Sequence, residues 1–276
     1  MTATVHITRI DQNQSSEVSD LVAVEEPLQI QLLFGPSGKE QTKNIAITMR
    51  TPGHDEELVA GFLYTEGIVN DRSDLISIIP KASGENTALA VFRSNSSPEL
   101  PGADRNFYIN SSCGLCGKTS LETLRRKPIA SVSGTTLRVT NSDMCAIPER
   151  LKQGQRLFHE TGGIHASALF DPTGQLLLLR EDVGRHNALD KLIGALMLAD
   201  RLPATNSILA LSGRVSFEMV QKAAMAGIEM IAAIGAPSSL SVELAIENNI
   251  TLIGFLRNDR FNIYSCSERI EKSATL

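Results

Sequence analysis

Apolar and polar residues alternate with period two through Leu28-Gln29-Ile30-Gln31-Leu32-Leu33-Phe34. The alternation resumes at Ile45, Ile47 and Met49, after the turn-like stretch 35–41, which predicts a hairpin near the start of the chain. Thr51-Pro52-Gly53 interrupts it. Residues 54–67 then carry acids at Asp55, Glu56 and Glu57 and a glycine, Gly67, where a helix C′ residue belongs, so one helix is expected on that sheet. Asp74–Ile79, Thr87–Arg93 and Arg105–Asn110 are further strand candidates, and the Ser-, Pro- and Asn-rich stretch 94–102 separates the last two. In the second half the pattern changes: after a helix near Pro148–His159 and a hairpin around Asp171-Pro172-Thr173-Gly174, helices and short apolar strands take turns. Helices are expected at Arg185–Ala199, Phe217–Gly227 and Leu240–Asn248, and strands at Ser207–Leu211, Met230–Ile234 and Thr251–Phe255. The signature is α/β with at least three parallel strands. The change of pattern falls within 111–130, and the division is placed after residue 118: a small α+β N-terminal domain, 1–118, and an α/β domain, 119–276.

A chain of 276 residues suits one large or two modest domains. With 42% hydrophobic and 21% charged residues, 20 Gly and 11 Pro, disordered, collagen-like and coiled-coil readings fail. Acids outnumber bases, 31 to 26, and the net charge of −5 argues against a broad basic face for nucleic acid. No apolar run approaches the roughly 18 residues of a membrane helix, and MTATVHITRIDQ lacks the basic and apolar regions of an export signal. No membrane partner and a cytoplasmic location are therefore expected. The four cysteines, Cys113, Cys116, Cys145 and Cys266, are too few for a disulfide scaffold, so a close pair in a reducing compartment points to catalysis or metal binding.

Cys113-Gly114-Leu115-Cys116 is followed by Lys118, Arg125 and Arg126. Nearby cations lower a thiol pKa and raise its thiolate fraction, which suits nucleophilic sulfur chemistry. Two alternatives stay open: half of a zinc site completed by Cys145 or Cys266 with a distant histidine, and a thioredoxin-like disulfide pair. Three strand-end loops form a second constellation: Ser212-Gly213-Arg214, Gly235-Ala236-Pro237-Ser238-Ser239 and Arg257-Asn258-Asp259-Arg260. In an open α/β sheet such loops converge on one crevice, where small residues, hydroxyls and arginines suit a nucleotide or pyrophosphate. The glycine-bearing segments Thr161–Ser167 and Glu181–Asn187 add His165 and His186 with carboxylates, either as acid and base or as turn-fixing hydrogen bonders. His6, His54 and His159 read as structural or surface residues, and Met219, Met225 and Met230 as core.

SSCGLCG (111–117), TGGIHASALF (161–170), EDVGRHNALDKLIG (181–194), the stretch 211–245 and LIGFLRNDRFNIYS (252–265), with HDEELVAGFLYTEGI (54–68), closely resemble the FdhD family of formate dehydrogenase accessory sulfurtransferases. The resemblance implies a cytoplasmic, homodimeric carrier. It would accept sulfur from a cysteine desulfurase and pass it to the bis(molybdopterin guanine dinucleotide) molybdenum cofactor before insertion into apo formate dehydrogenase. It assigns the persulfide to Cys113, an assisting role to Cys116, and cofactor binding to Phe255, Leu256, Arg257, Asn258, Asp259 and Arg260. Ser212, Gly213, Arg214, Gly235 and Ser238 are added from the loop reading as supports for guanine or phosphate, so a guanine nucleotide is expected to fit the same site. The resemblance also implies a cytidine-deaminase-like α/β domain. Zinc deaminases need H-x-E and P-C-x-x-C, but His165-Ala166-Ser167 lacks the Glu and Ser212–Ser216 lacks the cysteines, so neither zinc nor deamination is expected. A chaperone that binds the cofactor with a dispensable CxxC is the main rival, and a zinc-stabilised structural protein is a third reading.

Overall fold

The computed structural model describes residues 1–81, 85–93, 98, 107–108 and 137–271. In chain order the first part holds β1 (Thr2–Asp11), β2 (Gln14–Ala23), β3 (Glu26–Phe34), β4 (Gln41–Arg50), α1 (Asp55–Thr65), β5 (Leu75–Pro80), β6 (Thr87–Phe92) and β7 (Phe107–Tyr108). The second part holds β8 (Val139–Thr140), α2 (Asn141–Gly154), α3 (Arg156–Thr161), β9 (His165–Phe170), β10 (Leu176–Asp182), α4 (Arg185–Leu198) and β11 (Ile208–Leu211). It continues with α5 (Phe217–Met225), β12 (Met230–Ala233), α6 (Ser239–Glu247), β13 (Thr251–Gly254), β14 (Asn262–Ser265) and β15 (Ile270–Glu271). The predicted boundary at 118/119 lies outside the described residues, as do Cys113, Cys116, Lys118, Arg125 and Arg126.

The first sheet has the order β5-β6-β3-β4-β7 and the second β10-β9-β11-β12-β13-β14. Within the second, β11, β12 and β13 are parallel, the β9–β10 hairpin is antiparallel to β11, and β14 returns antiparallel to β13. The four residues of β11 show why these strands read as unbroken apolar runs. Leu209 and Leu211 join a core with α1, α4 and α5, whereas Ile208 and Ala210 join a core with Met144, Ile147 and Leu151 of α2. Both faces are covered, so both registers must be apolar.

The two halves share the first of these cores, which runs from Leu28 to Leu252. α1 and α4 cross there backbone to backbone: a Cβ on Gly61 would lie 1.9 Å from the Asp190 carbonyl oxygen, and one on Gly194 would lie 1.8 Å from that of Glu57. Buried charge flanks the crossing. Lys191 Nζ meets Asp182 Oδ2 at 2.7 Å and donates to the Thr51 carbonyl at 2.8 Å, while Thr51 N–H donates to the same carboxylate at 3.1 Å. From α5, Lys222 Nζ donates to both oxygens of Asp190, at 2.8 and 3.0 Å, and to Thr65 Oγ1 at 2.8 Å.

Two expectations change. The helix read near Pro148–His159 starts seven residues earlier, at Asn141, with Thr140 Oγ1 accepting from Asp143 N–H; Pro148 sits inside α2, and the helix breaks at Gln155 before α3. The strand expected at Arg105–Asn110 is described only at Phe107–Tyr108, paired with β4. The β1–β2 hairpin is an addition. It turns at Gln12 and Asn13, both with positive φ, the conformation that matches the twist of a two-residue hairpin.

Candidate nucleotide cavity

Parallel strands leave their carboxyl ends at one edge of the sheet, and a cavity of about 880 Å³ opens there. Ser212 follows β11, Ile234 follows β12, and Leu256 to Arg260 follow β13; α2 and α3 close the opposite wall with Leu151, Lys152, Gln155 and Phe158. Gly162, Gly163 and Ile164, the turn from α3 into β9, and His165 at the start of β9 complete the lining. The volume falls in the range of sites that enclose a small-molecule ligand.

The walls divide chemically. Leu151, Ile164, Val183, Ile234 and Leu256 make an apolar slot, and Lys152, Arg257 and Arg260 bring positive charge to its rim. Arg257 is braced, its Nη1 donating to the carbonyls of Ile234 at 2.8 Å and Leu256 at 2.7 Å. Those bonds orient the guanidinium and leave its other N–H groups for an anion. Burial, joined by the charge of Arg185 and opposed by that of Asp182, pushes the half-buried His165 imidazole below its usual pKa, so it is neutral near pH 7. On α2, burial, joined by the Asp259 carboxylate, pushes the Cys145 thiol upward.

Of the predicted site residues, Leu256, Arg257, Asn258, Asp259, Arg260 and Ser212 line this cavity. Phe255 does not. It is exposed, at positive φ, and with Asn262, Arg257 and Arg260 borders a second depression of about 300 Å³, so the two arginines stand between both hollows. Gly213, Arg214, Gly235 and Ser238 stay outside the main lining. A Cβ on Gly235 would lie 2.7 Å from the Gly213 carbonyl oxygen, so that glycine permits two loop backbones to touch. Ser238 caps α6, its Oγ accepting from Ser241 N–H at 3.3 Å. Arg214 is exposed beside Gly235. Ser212 joins the cavity to the sheet, its Oγ accepting from Ala166 N–H at 2.8 Å.

The segment around His186 serves the seam. Asn187 Nδ2 donates to the Met49 carbonyl at 2.7 Å, and Asp182 Oδ1 accepts from Gly184 N–H at 2.8 Å. Sequence reading missed Lys152, Gln155 and Phe158. Their only signal was the amphipathic stretch ending at His159, which does not say which polar residues turn toward a ligand. Among the described residues, no three His, Cys, Asp or Glu side chains gather as a metal-ligand set, and no helix is long and apolar enough to cross a membrane.

The FdhD/NarQ family description matches residues 23–271. The sulfur carrier protein FdhD of Streptomyces coelicolor is 44% identical over 280 residues, covering 98% of this chain and 96% of its own. The protein of the same name from Saccharolobus solfataricus is 43% identical over 264 residues, covering 96% of each. A crystal structure assigned to a formate dehydrogenase accessory protein of Desulfotalea psychrophila superposes with a TM-score of 0.75 at 26% identity, across 98% of this chain and 99% of that one. Matches of this extent, with the strand-end cavity in place, show that the chain belongs to the FdhD/NarQ family.

Proposed function

We propose that this protein is a sulfur carrier for formate dehydrogenase, taking sulfur from a cysteine desulfurase as a persulfide on Cys113 and passing it to the bis(molybdopterin guanine dinucleotide) molybdenum cofactor before that cofactor enters the apoenzyme. The supporting observation is the cavity itself: five consecutive residues, Leu256 to Arg260, line a strand-end site of nucleotide size in a chain that also carries a CxxC. In this reading Arg257 and Arg260 hold phosphate and the apolar slot flanks a planar ring. A guanine nucleotide occupies the same place. In this reading residues 119–276 are the deaminase-like domain, which the strand order and directions of the second sheet support, and residues 1–118 are the smaller one.

The chemistry is thiol exchange. The Cys113 thiolate attacks the outer sulfur of the donor persulfide; the donor's S–S bond breaks, its cysteine leaves as thiolate, and the sulfane sulfur stays on Cys113. Cys116 assists the second transfer: its thiolate attacks Cys113 Sγ and expels hydrosulfide, leaving a Cys113–Cys116 disulfide that a dithiol reductant reopens. The expelled hydrosulfide is the form delivered to the cofactor. The carrier acts as a homodimer, which sedimentation tests.

Mass spectrometry after incubation with a cysteine desulfurase and cysteine tests the carrier step. One reducible sulfur is expected on the 113–116 peptide of the wild type and of Cys116→Ala, and none on Cys113→Ala. A wild type that binds GDP yet gains no sulfur beside an active desulfurase would convert the carrier into a cofactor chaperone.

A further inference from the structure

β1 and β2 form a sheet of their own, and among the described residues no third strand pairs with either. A lone two-stranded hairpin is marginal in water, so a further strand is what this unit lacks. α3 packs mainly against β2, which leaves β1 as the outer strand. The Met1 carbonyl accepts from Val24 N–H at 3.0 Å, and hydrogen-bonded pairs recur at every second position of an antiparallel ladder. Ala3, Val5, Ile7, Arg9 and Asp11 therefore turn their N–H and C=O toward β2. Thr4, His6, Thr8 and Ile10 turn theirs away, along an edge about 33 Å long.

Other edge strands are blunted. β5 shifts register between Leu75 and Ser77 and runs into Pro80 and Lys81, β10 shifts between Leu176 and Leu178, and β14 has only four residues and a shift of its own. Short length, bulges, proline and lysine are the usual guards against edge-to-edge pairing. β1 carries none of them. Its ten residues pair with β2 in unbroken register, without Pro or Lys, and six of the ten are β-branched. The open face of the hairpin is polar, with His6, Thr8, Glu17 and Ser19 exposed, so the edge rather than the face is the docking surface.

An occupant must bring an equally long and unguarded strand, and a second copy of this chain brings one. A twofold axis normal to the sheet runs the two β1 edges antiparallel, with His6 or Ile7 at the axis. At His6, Thr4 of one copy faces Thr8 of the other and Val5 faces Ile7; at Ile7, His6 faces Thr8 and Val5 faces Arg9. In both registers Arg9 and Asp11 face uncharged side chains, so the edge is compatible with itself. Resting on the homodimer reading above, we infer that β1 is the contact strand of the dimer: two copies join edge to edge through Thr4, His6, Thr8 and Ile10 into a four-stranded sheet, β2-β1-β1-β2.

Sedimentation and residue-resolved amide exchange of the full chain test this in the wild type and Thr4→Pro. Proline there removes an outward N–H and spares the β1–β2 ladder. The wild type is expected to sediment as a dimer, its His6, Thr8 and Ile10 amides exchanging at least tenfold more slowly than in the monomer reached by dilution. Thr4→Pro is expected to raise the dimer dissociation constant at least tenfold and to release those amides, while the Ile7 and Arg9 amides stay protected and show the hairpin intact. A wild-type dimer whose His6, Thr8 and Ile10 amides exchange as fast as in the monomer overturns the contact strand and leaves the homodimer standing. So does a Thr4→Pro chain that dimerises like wild type. A wild type that stays monomeric at tens of micromolar overturns both.

Discussion

The seam between α1 and α4 and the mouth of the cavity carry the same kinds of residue, acids beside bases, to opposite ends. At the seam Asp182 is fully buried, Lys191 is 1% exposed, and hydrogen bonds tie both to the Thr51 backbone. At the mouth Arg257, Asn258, Asp259 and Arg260 are exposed around a hollow. Composition cannot separate the two regions; pairing can. Charges that satisfy one another inside a core fix geometry, whereas charges turned toward space, with only backbone braces behind them, are ready for something that is not protein.

Four perturbations test that contrast, in falling order of their effect on stability. Gly61→Leu should prevent the α1–α4 crossing and cost more than about 4 kcal/mol, read as loss of a cooperative guanidinium transition or of soluble protein. Lys191→Met strands a buried carboxylate and should cost about 3–5 kcal/mol, with Lys191→Met/Asp182→Asn less damaging than Lys191→Met alone. A smaller effect is expected at Glu57. Burial alone would raise its carboxyl, but the two-pronged Arg180 contact, with His54 alongside, holds it down at about 2. A depressed carboxyl contributes stability above its unfolded value near 4.5, and that contribution fades as pH falls toward 2. Discounted for solvent screening, it is worth on the order of 1 kcal/mol, so urea melts of Glu57→Gln should show a shallower acid limb. Arg260→Ala should leave stability within about 0.5 kcal/mol while lowering GDP affinity at least tenfold by calorimetry. A mouth arginine that destabilised the fold like a seam lysine would erase the distinction.

Much of the second sheet was legible in the sequence because its strands are apolar on both faces and its helices carry clear ends. Phe217 and Met230 start their elements where the pattern places them, and Gly67, at positive φ, follows the C-cap of α1. The β1–β2 hairpin was not legible: most of its positions are exposed, so no buried face imposes alternation, and its Gln12-Asn13 turn lacks glycine. Pro148 misplaced the start of α2 because proline is commonest in a first turn, and here Thr140 sets the cap instead. At the site, the 257–260 loop could be found from its position after an apolar strand. Gln155 could not, since which side chain at the break between α2 and α3 turns into the hollow is a property of the folded chain alone.

Past the strand ends the loops remain stitched together. Gly235 N–H donates to the Gly213 carbonyl at 3.1 Å, Val215 N–H to that of Ala236 at 3.1 Å, and Phe255 N–H to that of Gly235 at 3.0 Å. Loops usually accept insertions and deletions freely because each can bulge by itself. Here one added residue between Gly235 and Ser238 would put two neighbouring loops out of step at once. Length variation within this family should therefore gather at the Gln12-Asn13 turn and avoid these three loops, making chain length rather than residue identity the quantity that selection guards at the cavity.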